Sequence, residues 1–324
     1  KMPELVDVHN RRIDYLRVSV TDRCNLRCIY CMPDKGVKLK LHKDILTYEE
    51  IATFATYAVQ AGISKIRLTG GEPLIRKDVV QLVSFITSIP NLKDLSLTTN
   101  GLLLAEYVSE LVKAGLKRIN VSIDSLDASV YRYITRIGEV GQAKHGLESA
   151  LAAGLDPIKI NVVAIKGIND DLKDFVRLTF EFPVHVRFIE YMPFNEEVKG
   201  DCFISCDEMM NTLRRFGAME EVSSPGGAGP AKYFKMKKAL GTLGFISPMS
   251  SHFCPQCNRL RLTADGRLRT CLFSDEEIDV RPYLRDGNSS EKIKELIKFA
   301  LSRKPKDHVS LRKDFERKMF QIGG

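Results

Sequence analysis

Tyr15-Leu-Arg17-Val-Ser19-Val-Thr-Asp-Arg-Cys24-Asn-Leu-Arg-Cys28-Ile-Tyr30-Cys31-Met-Pro33 joins an alternating strand directly to three cysteines. Leu16, Val18 and Val20 fall on one face of the strand, and Arg17 and Ser19 on the other. Working outward, strands are predicted at 15–20, 65–69, 94–99, 118–124, 157–165 and 184–191. Helical periodicity lies between them, near 48–61, 78–88, 104–114, 142–153 and 170–180. Gly62, Gly115 and Gly154 follow three of these helices, where a left-handed cap is expected. Strand and helix in alternation argue for parallel β/α units. Six such units predict an α/β fold, a partial (β/α)6 TIM-type barrel, short of the eight units and about 250 residues of a closed one. The pattern weakens after 191. Ser-Ser-Pro-Gly-Gly-Ala-Gly-Pro at 223–230 reads as a flexible loop. Residues 1–222 are therefore read as the barrel, and 223–324 as a C-terminal extension with cysteines of its own.

Buried parallel strands are normally apolar on both faces. Here one face is polar in strand after strand: Arg17 and Ser19; Lys65, Arg67 and Thr69; Ser96, Thr98 and Asn100; Asn120, Ser122 and Asp124; Lys159 and Asn161; His185 and Arg187. The opposite face would meet the helices, so the polar face lines the lumen. The lumen is then a site and not a packed core. Buried cations need a partner, and Arg17, Arg67, Lys159 and Arg187 together call for an anionic ligand. The competing reading is that internal carboxylates neutralise them, or that one or two strands lie in another register.

The chain holds 49 Lys and Arg against 41 Asp and Glu, a net charge of +8. The basic residues are dispersed, and no nucleic-acid motif with stacking aromatics accompanies them. No apolar run reaches the roughly 20 residues of a membrane span, and residues 1–14 lack a signal-peptide core. The expectation is a cytoplasmic protein without a membrane or nucleic-acid partner, monomeric or homodimeric.

Six of the eight cysteines form two groups of three. Clustering of this kind in a reducing compartment favours metal over disulfides. Cys24, Cys28 and Cys31 sit at the C-terminal end of the first strand, where barrel active sites form. Three thiolates can hold three irons of a [4Fe–4S] cube, whose fully protein-bound form uses four cysteines. The fourth iron is then open, and the amino and carboxylate groups of S-adenosylmethionine can chelate it. Structural zinc would want a fourth ligand, and His42, the closest histidine, is eleven residues on. Gly70-Gly71-Glu72-Pro73 follows the second strand. Its glycines allow close backbone approach, and Glu72 can accept from an ammonium. Cys254, Cys257 and Cys271 repeat the incomplete coordination. A second cluster fits them, and zinc with His252 as fourth ligand competes. Cys202 and Cys206 fit neither group and read as thiols, although such a pair could bind metal or oxidise.

The cysteine loop with Tyr30 and the Gly-Gly-Glu-Pro segment resembles the radical S-adenosylmethionine superfamily. Residues 253–273, with 16–33, 66–74, 97–103, 119–127, 161–169 and 187–194, resemble more narrowly the GTP 3′,8-cyclase (MoaA) family of molybdenum cofactor synthesis. The resemblance implies two [4Fe–4S] clusters at opposite ends of one lumen. S-adenosylmethionine would bind at the first, with Tyr30, Gly71, Glu72, Ser122 and Met192. GTP would bind at the second, with Arg17, Arg67, Thr98, Lys159, Arg259, Leu260 and Arg261. Arg17, Arg259 and Arg261 would serve the chemistry. It implies a 5′-deoxyadenosyl radical that takes the ribose 3′ hydrogen, attack of C3′ on C8 of guanine, and a Gly323-Gly324 tail reaching into the site. It also implies a low-potential electron donor and a downstream cyclic pyranopterin monophosphate synthase. Asn10, where relatives often carry Gly, departs from the pattern. No Walker-type phosphate loop occurs, so guanine rests on the resemblance alone. Two other functions compete: a radical peptide-modifying enzyme with an auxiliary cluster, which usually carries more C-terminal cysteines, and a non-enzymatic iron–sulfur or zinc protein, which leaves the polar lumen unused.

Overall fold

The structure is a computed structural model that describes residues 3–194, 198, 200–226, 229–285, 290–309, 311 and 317–323. Its first half alternates strand and helix: β1 (Tyr15–Ser19), α1 (Tyr48–Ala61), β2 (Lys65–Thr69), α2 (Val79–Thr87), β3 (Asp94–Thr99), α3 (Leu104–Lys113), β4 (Arg118–Ser122), α4 (Ala128–Thr135), α5 (Val140–Ala152), β5 (Ile158–Ala164), α6 (Lys173–Glu181) and β6 (His185–Glu190). All six predicted strands and five predicted helices are present, with ends shifted by a few residues. Helix α4 was not anticipated.

Each helix is cut by local chemistry and held by one face. In α1, Thr47 and Glu50 form a reciprocal capping box, and Gly62 closes the other end. Ile51, Phe54, Ala55, Ala58 and Val59 are its buried stripe. They meet Leu16, Val18, Ile66, Leu68, Leu97, Val121, Ile160 and Val186 in one continuous core between sheet and helices. The apolar strand face therefore points outward, and the polar face inward. Asn10 takes the left-handed conformation, φ 59°, that glycine suits and asparagine tolerates.

The second half continues with α7 (Cys206–Leu213), β7 (Met219–Val222), β8 (Lys232–Met236), β9 (Thr242–Ile246), β10 (Arg259–Leu262), β11 (Arg267–Arg269), β12 (Ile278–Asp279), α8 (Arg281–Arg285), α9 (Ser290–Ser302) and α10 (Met319–Ile322). Its strands join the first six in one sheet, ordered β12-β11-β10-β1-β2-β3-β4-β5-β6-β9-β8-β7. β10 pairs parallel with β1, and β9 pairs parallel with β6. Antiparallel partners finish both ends, β11 and β12 beyond β10, and β8 and β7 beyond β9. The sheet curls without closing, as a partial barrel does. No helix among the described residues is long and apolar enough to cross a membrane.

Candidate active site

The sheet register stacks the lumen cations in rows. Arg17 lies opposite Arg67 on one side and Arg261 on the other. Two residues earlier, Tyr15 lies opposite Lys65 and Arg259. Arg17, Arg67, Arg187, Arg259 and Arg261 all line one cleft, whose empty volume is about 1150 Å³ counting its mouth. Arg187 donates to the Asn120 and Asn161 amide oxygens, the first at 2.7 Å. Arg67 donates to Ser96 Oγ at 3.2 Å and lies 5.4 Å from the centre of the Tyr15 ring. Lys159 lines neither this cleft nor the one beside the first cysteine group; its amine donates to the Gly226 carbonyl, 2.5 Å away, in the loop before β8.

Carboxylates neutralise the rim of this array. Lys65 pairs with Asp14 at 3.0 Å, and Arg118 pairs with Asp94. Desolvation and mutual repulsion act in the same direction on Lys159, Arg187 and Arg261. Burial first, then Arg187, Arg118 and Arg67, bring the Lys159 amine down to about 7. Burial brings Arg187 and Arg261 down to about 10, with Arg67 pressing on the first and Arg259 on the second. Tyr15 Oη, Thr98 Oγ1 and Thr270 Oγ1 are buried with no hydrogen-bond partner among the described residues. Arg67, Arg187 and Arg261 on neutral oxygen partners, with unsatisfied hydroxyls along the lumen, fit a polyanion that brings its own acceptors.

Cys24, Cys28 and Cys31 line a second cleft of about 1070 Å³ together with Tyr30, Gly71, Glu72, Thr98, Ser122 and Asp124. Gly71 donates to the Thr21 carbonyl at 2.8 Å, and a Cβ there would sit 2.1 Å from the Arg23 carbonyl oxygen. Only glycine lets this loop lie against the cysteine loop. The Glu72 carboxylate is already engaged: it accepts from the Leu74 amide (3.0 Å), the Thr99 hydroxyl (2.8 Å) and the Asn100 amide (2.6 Å). Its first service is to pin the loop after β3, and burial raises its pKa to about 7 against those three donors. Tyr30 donates to Asp124 Oδ2 at 2.6 Å, and the Val163 amide donates to Oδ1 at 2.8 Å. Asp124 was read only as a lumen residue; its place two positions after Ser122, facing the cysteines, was the available signal. Burial lifts Cys24 to about 11 and raises Cys28 and Cys31, with Glu72 adding to the first and Asp124 to the other two.

Cys254, Cys257 and Cys271 line the arginine cleft. There the thiols differ: burial raises Cys254. Burial would raise Cys257, yet Lys304 and Arg259 hold it below an ordinary thiol. His308 Nδ1 lies 3.2 Å from Cys254 Sγ, so it is His308, from outside the motif, that meets the cysteine, with His252 edge-on to it. Among the described residues, no three His, Cys, Asp or Glu side chains converge tightly enough to hold a single metal ion. A cluster spreads its thiolates over several irons, whereas a structural zinc gathers four ligands on one ion. The two clefts abut, sharing Asn161, Ile189, Met192 and Met319 in their walls.

Comparison with known proteins closes the argument. Residues 18–179 match the radical SAM superfamily, and residues 184–310 match the molybdenum cofactor synthesis C family. A GTP 3′,8-cyclase of Moorella thermoacetica is 49% identical over 98% of this chain and 99% of its own. One of Petrotoga mobilis is 49% identical over 99% of this chain and 100% of its own. The chain belongs to the GTP 3′,8-cyclase family. Among solved structures, SuiB of Streptococcus suis superposes with a TM-score of 0.59 at 14% identity, covering 89% of this chain and 69% of SuiB. Methylornithine synthase (PylB) gives 0.51 at 19%, covering 63% and 62%. At such identities these neighbours share the fold alone. The full-length identity is what separates a GTP 3′,8-cyclase from other radical enzymes built on it.

Two expectations about side chains change on this frame. Leu260 is 1% exposed in the core behind the sheet, between Arg259 and Arg261 by strand alternation, so its side chain is not in the lumen. Thr98 borders the cleft of the first cysteine group and not the arginine cleft. Ser122 and Met192 border the former too, and Met192 both. Cys202 and Cys206 line neither cleft, and no disulfide joins any of the eight cysteines. The tail does reach in: the Gly323 carbonyl accepts from Arg261 Nη1 at 2.6 Å, and Met319 stands in both clefts. Gly324 lies outside the described residues.

Proposed function

We propose that this chain converts GTP to (8S)-3′,8-cyclo-7,8-dihydroguanosine 5′-triphosphate, a lyase-type cyclisation. The observation that carries it is one lumen with a cysteine triad at each of two abutting clefts and buried cations between them. Cys24, Cys28 and Cys31 would hold one [4Fe–4S] cluster, and Cys254, Cys257 and Cys271 the other. Loaded with a reduced cluster and S-adenosylmethionine, the first site supplies the 5′-deoxyadenosyl radical that opens the reaction at the ribose C3′. Tyr30, Gly71, Ser122 and Met192 border the cleft where the methionine and adenosyl parts would lie. Glu72 keeps that cleft in shape. Arg17, Arg67, Lys159 and Arg187 would take the triphosphate, each phosphate oxygen receiving charge-assisted donors. Arg259 and Arg261, beside the second triad, would hold the base and steady the electron-rich ring as bonds change. Fixing both ends of the substrate holds C3′ at the shared wall, which is the positioning such a reaction needs. The product is consumed by a cyclic pyranopterin monophosphate synthase, and the electron comes from a low-potential donor.

The test is anaerobic incubation of reconstituted protein with GTP carrying deuterium at C3′, S-adenosylmethionine and reductant. One deuterated 5′-deoxyadenosine per cyclised nucleotide is expected. Unlabelled deoxyadenosine with no cyclised product would sink the reading, and cross-linking of an added peptide in place of GTP would favour the peptide-modifying alternative.

A further inference from the structure

The second cysteine triad is backed by a charge that faces away from the substrate cleft. Lys304 is 3% exposed and does not line the cleft. Its ammonium donates to the Arg259 carbonyl at 2.9 Å and to the Thr270 carbonyl. These carbonyls flank the triad, one two residues after Cys257 and one immediately before Cys271. Two of the ammonium's three donors thus hold the backbone beside cysteines of the triad. Carbonyls satisfy hydrogen bonds and cancel no charge. The charges that bear most on Lys304 are Cys257, Cys271 and Arg11, with no carboxylate among them. A buried cation is costly unless a counter-ion accompanies it. Here the counter-ion is the triad. Arg259 and Arg261 are also near, but they face the substrate, Arg259 with its guanidinium 5.0 Å from the Phe253 ring and Arg261 bonded to Gly323. The first triad has the opposite surroundings, with Glu72 and Asp124 in its cleft.

We propose that Lys304 is the fixed counter-charge of the second cluster, holding its loop and raising its reduction potential above what the thiolates alone would set. The inference rests on the reading of Cys254, Cys257 and Cys271 as iron–sulfur ligands. Reduction adds a negative charge to the cluster, and a positive charge fixed in a poorly solvated site favours that state. Net charge and hydrogen bonds to sulfur are the protein's usual means of setting such potentials. Lys304 is thus a positioning residue that acts through the cluster.

The experiment uses full-length protein in which Cys24, Cys28 and Cys31 are all replaced by Ser, so that only the second triad is loaded. Iron and sulfide are counted first. Zinc in their place would overturn the iron–sulfur reading of this triad, and this proposal with it. With the cluster present, potentiometric titration followed by electron paramagnetic resonance compares Lys304→Met, Lys304→Gln and Lys304→Arg. Both neutral variants should give a more negative midpoint, and Lys304→Arg should restore it. Loss of iron from both neutral variants while Lys304→Arg keeps it is the same charge requirement and supports the proposal. A midpoint shared by all four proteins, or a shift in Lys304→Arg equal to that of Lys304→Met, overturns it. In the reciprocal background, with Cys254, Cys257 and Cys271 replaced by Ser, Lys304→Met should leave the first cluster's midpoint in place; an equal shift there would also overturn it.

Discussion

Gly71 and Lys159 let the proposed site be tested at single residues. A methyl group at 71 would meet the Arg23 carbonyl oxygen and then Cys24 Cβ, at 2.1 and 3.2 Å. The backbone cannot yield without moving the first cysteine loop. Gly71→Ala should keep its circular dichroism but lose iron at the first triad, and release of 5′-deoxyadenosine should fall by about tenfold or more, about 1.4 kcal/mol. Lys159 carries a pH signature. Its amine, held down at about 7 by burial and by Arg187, is charged below that value and neutral above it. A bound triphosphate favours the charged form and raises the pKa. GTP affinity should therefore fall as pH rises through 7 toward the value in the complex, and binding at pH 8 should take up a proton. Calorimetry in buffers of different ionisation enthalpy measures that uptake, and Lys159→Arg should abolish it. The cations of this site were legible from alternation, because a polar residue every second position in a buried parallel strand has few explanations. Glu72 was legible as a residue but not in its role, since two of the three donors that converge on it, the Thr99 hydroxyl and the Asn100 amide, come from a segment remote from its motif.

At the scale of elements, α5 is seated by a second close approach. A Cβ on Gly146 would lie 2.2 Å from the Gly101 carbonyl oxygen and 3.1 Å from Leu104 Cβ, so the helix rests directly on the turn that starts α3. Gly146→Ala should gain a little helix propensity and lose more to overpacking, about 1–3 kcal/mol. Calorimetry should show a melting temperature lower by several degrees, with the iron content unchanged. Helix α4 escaped the sequence reading for a physical reason. Its eight residues, Ala-Ser-Val-Tyr-Arg-Tyr-Ile-Thr, are rich in β-branched and aromatic types. What makes it helical is the Asp127 cap, whose carboxylate accepts from the Ser129 and Val130 amides, and the burial of Tyr131 and Ile134. Tertiary packing overrode propensity there.

At the scale of the molecule, six strands could be ordered from sequence because each β/α unit sets the next beside it. The flanking strands could not. β9 and β10 come from one stretch of chain and settle on opposite edges of the core, beside β6 and β1. Short, irregularly spaced and joined by turns, they carry no periodic sign of which edge each will find. The consequence is testable. A fragment ending at residue 222 keeps six parallel strands but uncovers the long edges of β1 and β6, and open edges pair with other chains. Such a fragment should collect in the insoluble fraction, whereas the whole chain stays in solution; a monodisperse fragment on gel filtration would contradict the topology.

The β1–β10 seam also governs how fast the molecule can be made. Asp14 accepts a hydrogen bond from Asn258, a partner 244 residues away, at the edge of that seam. Contacts so distant along the chain are slow to form, because the entropy of closing the loop is spent before the pairing is gained. Until they form, the strand that leads into Cys24 has one flank bare. Assembly should therefore pass through a long-lived intermediate with a hydrophobic, strand-seeking edge, the kind of species that chaperones retain.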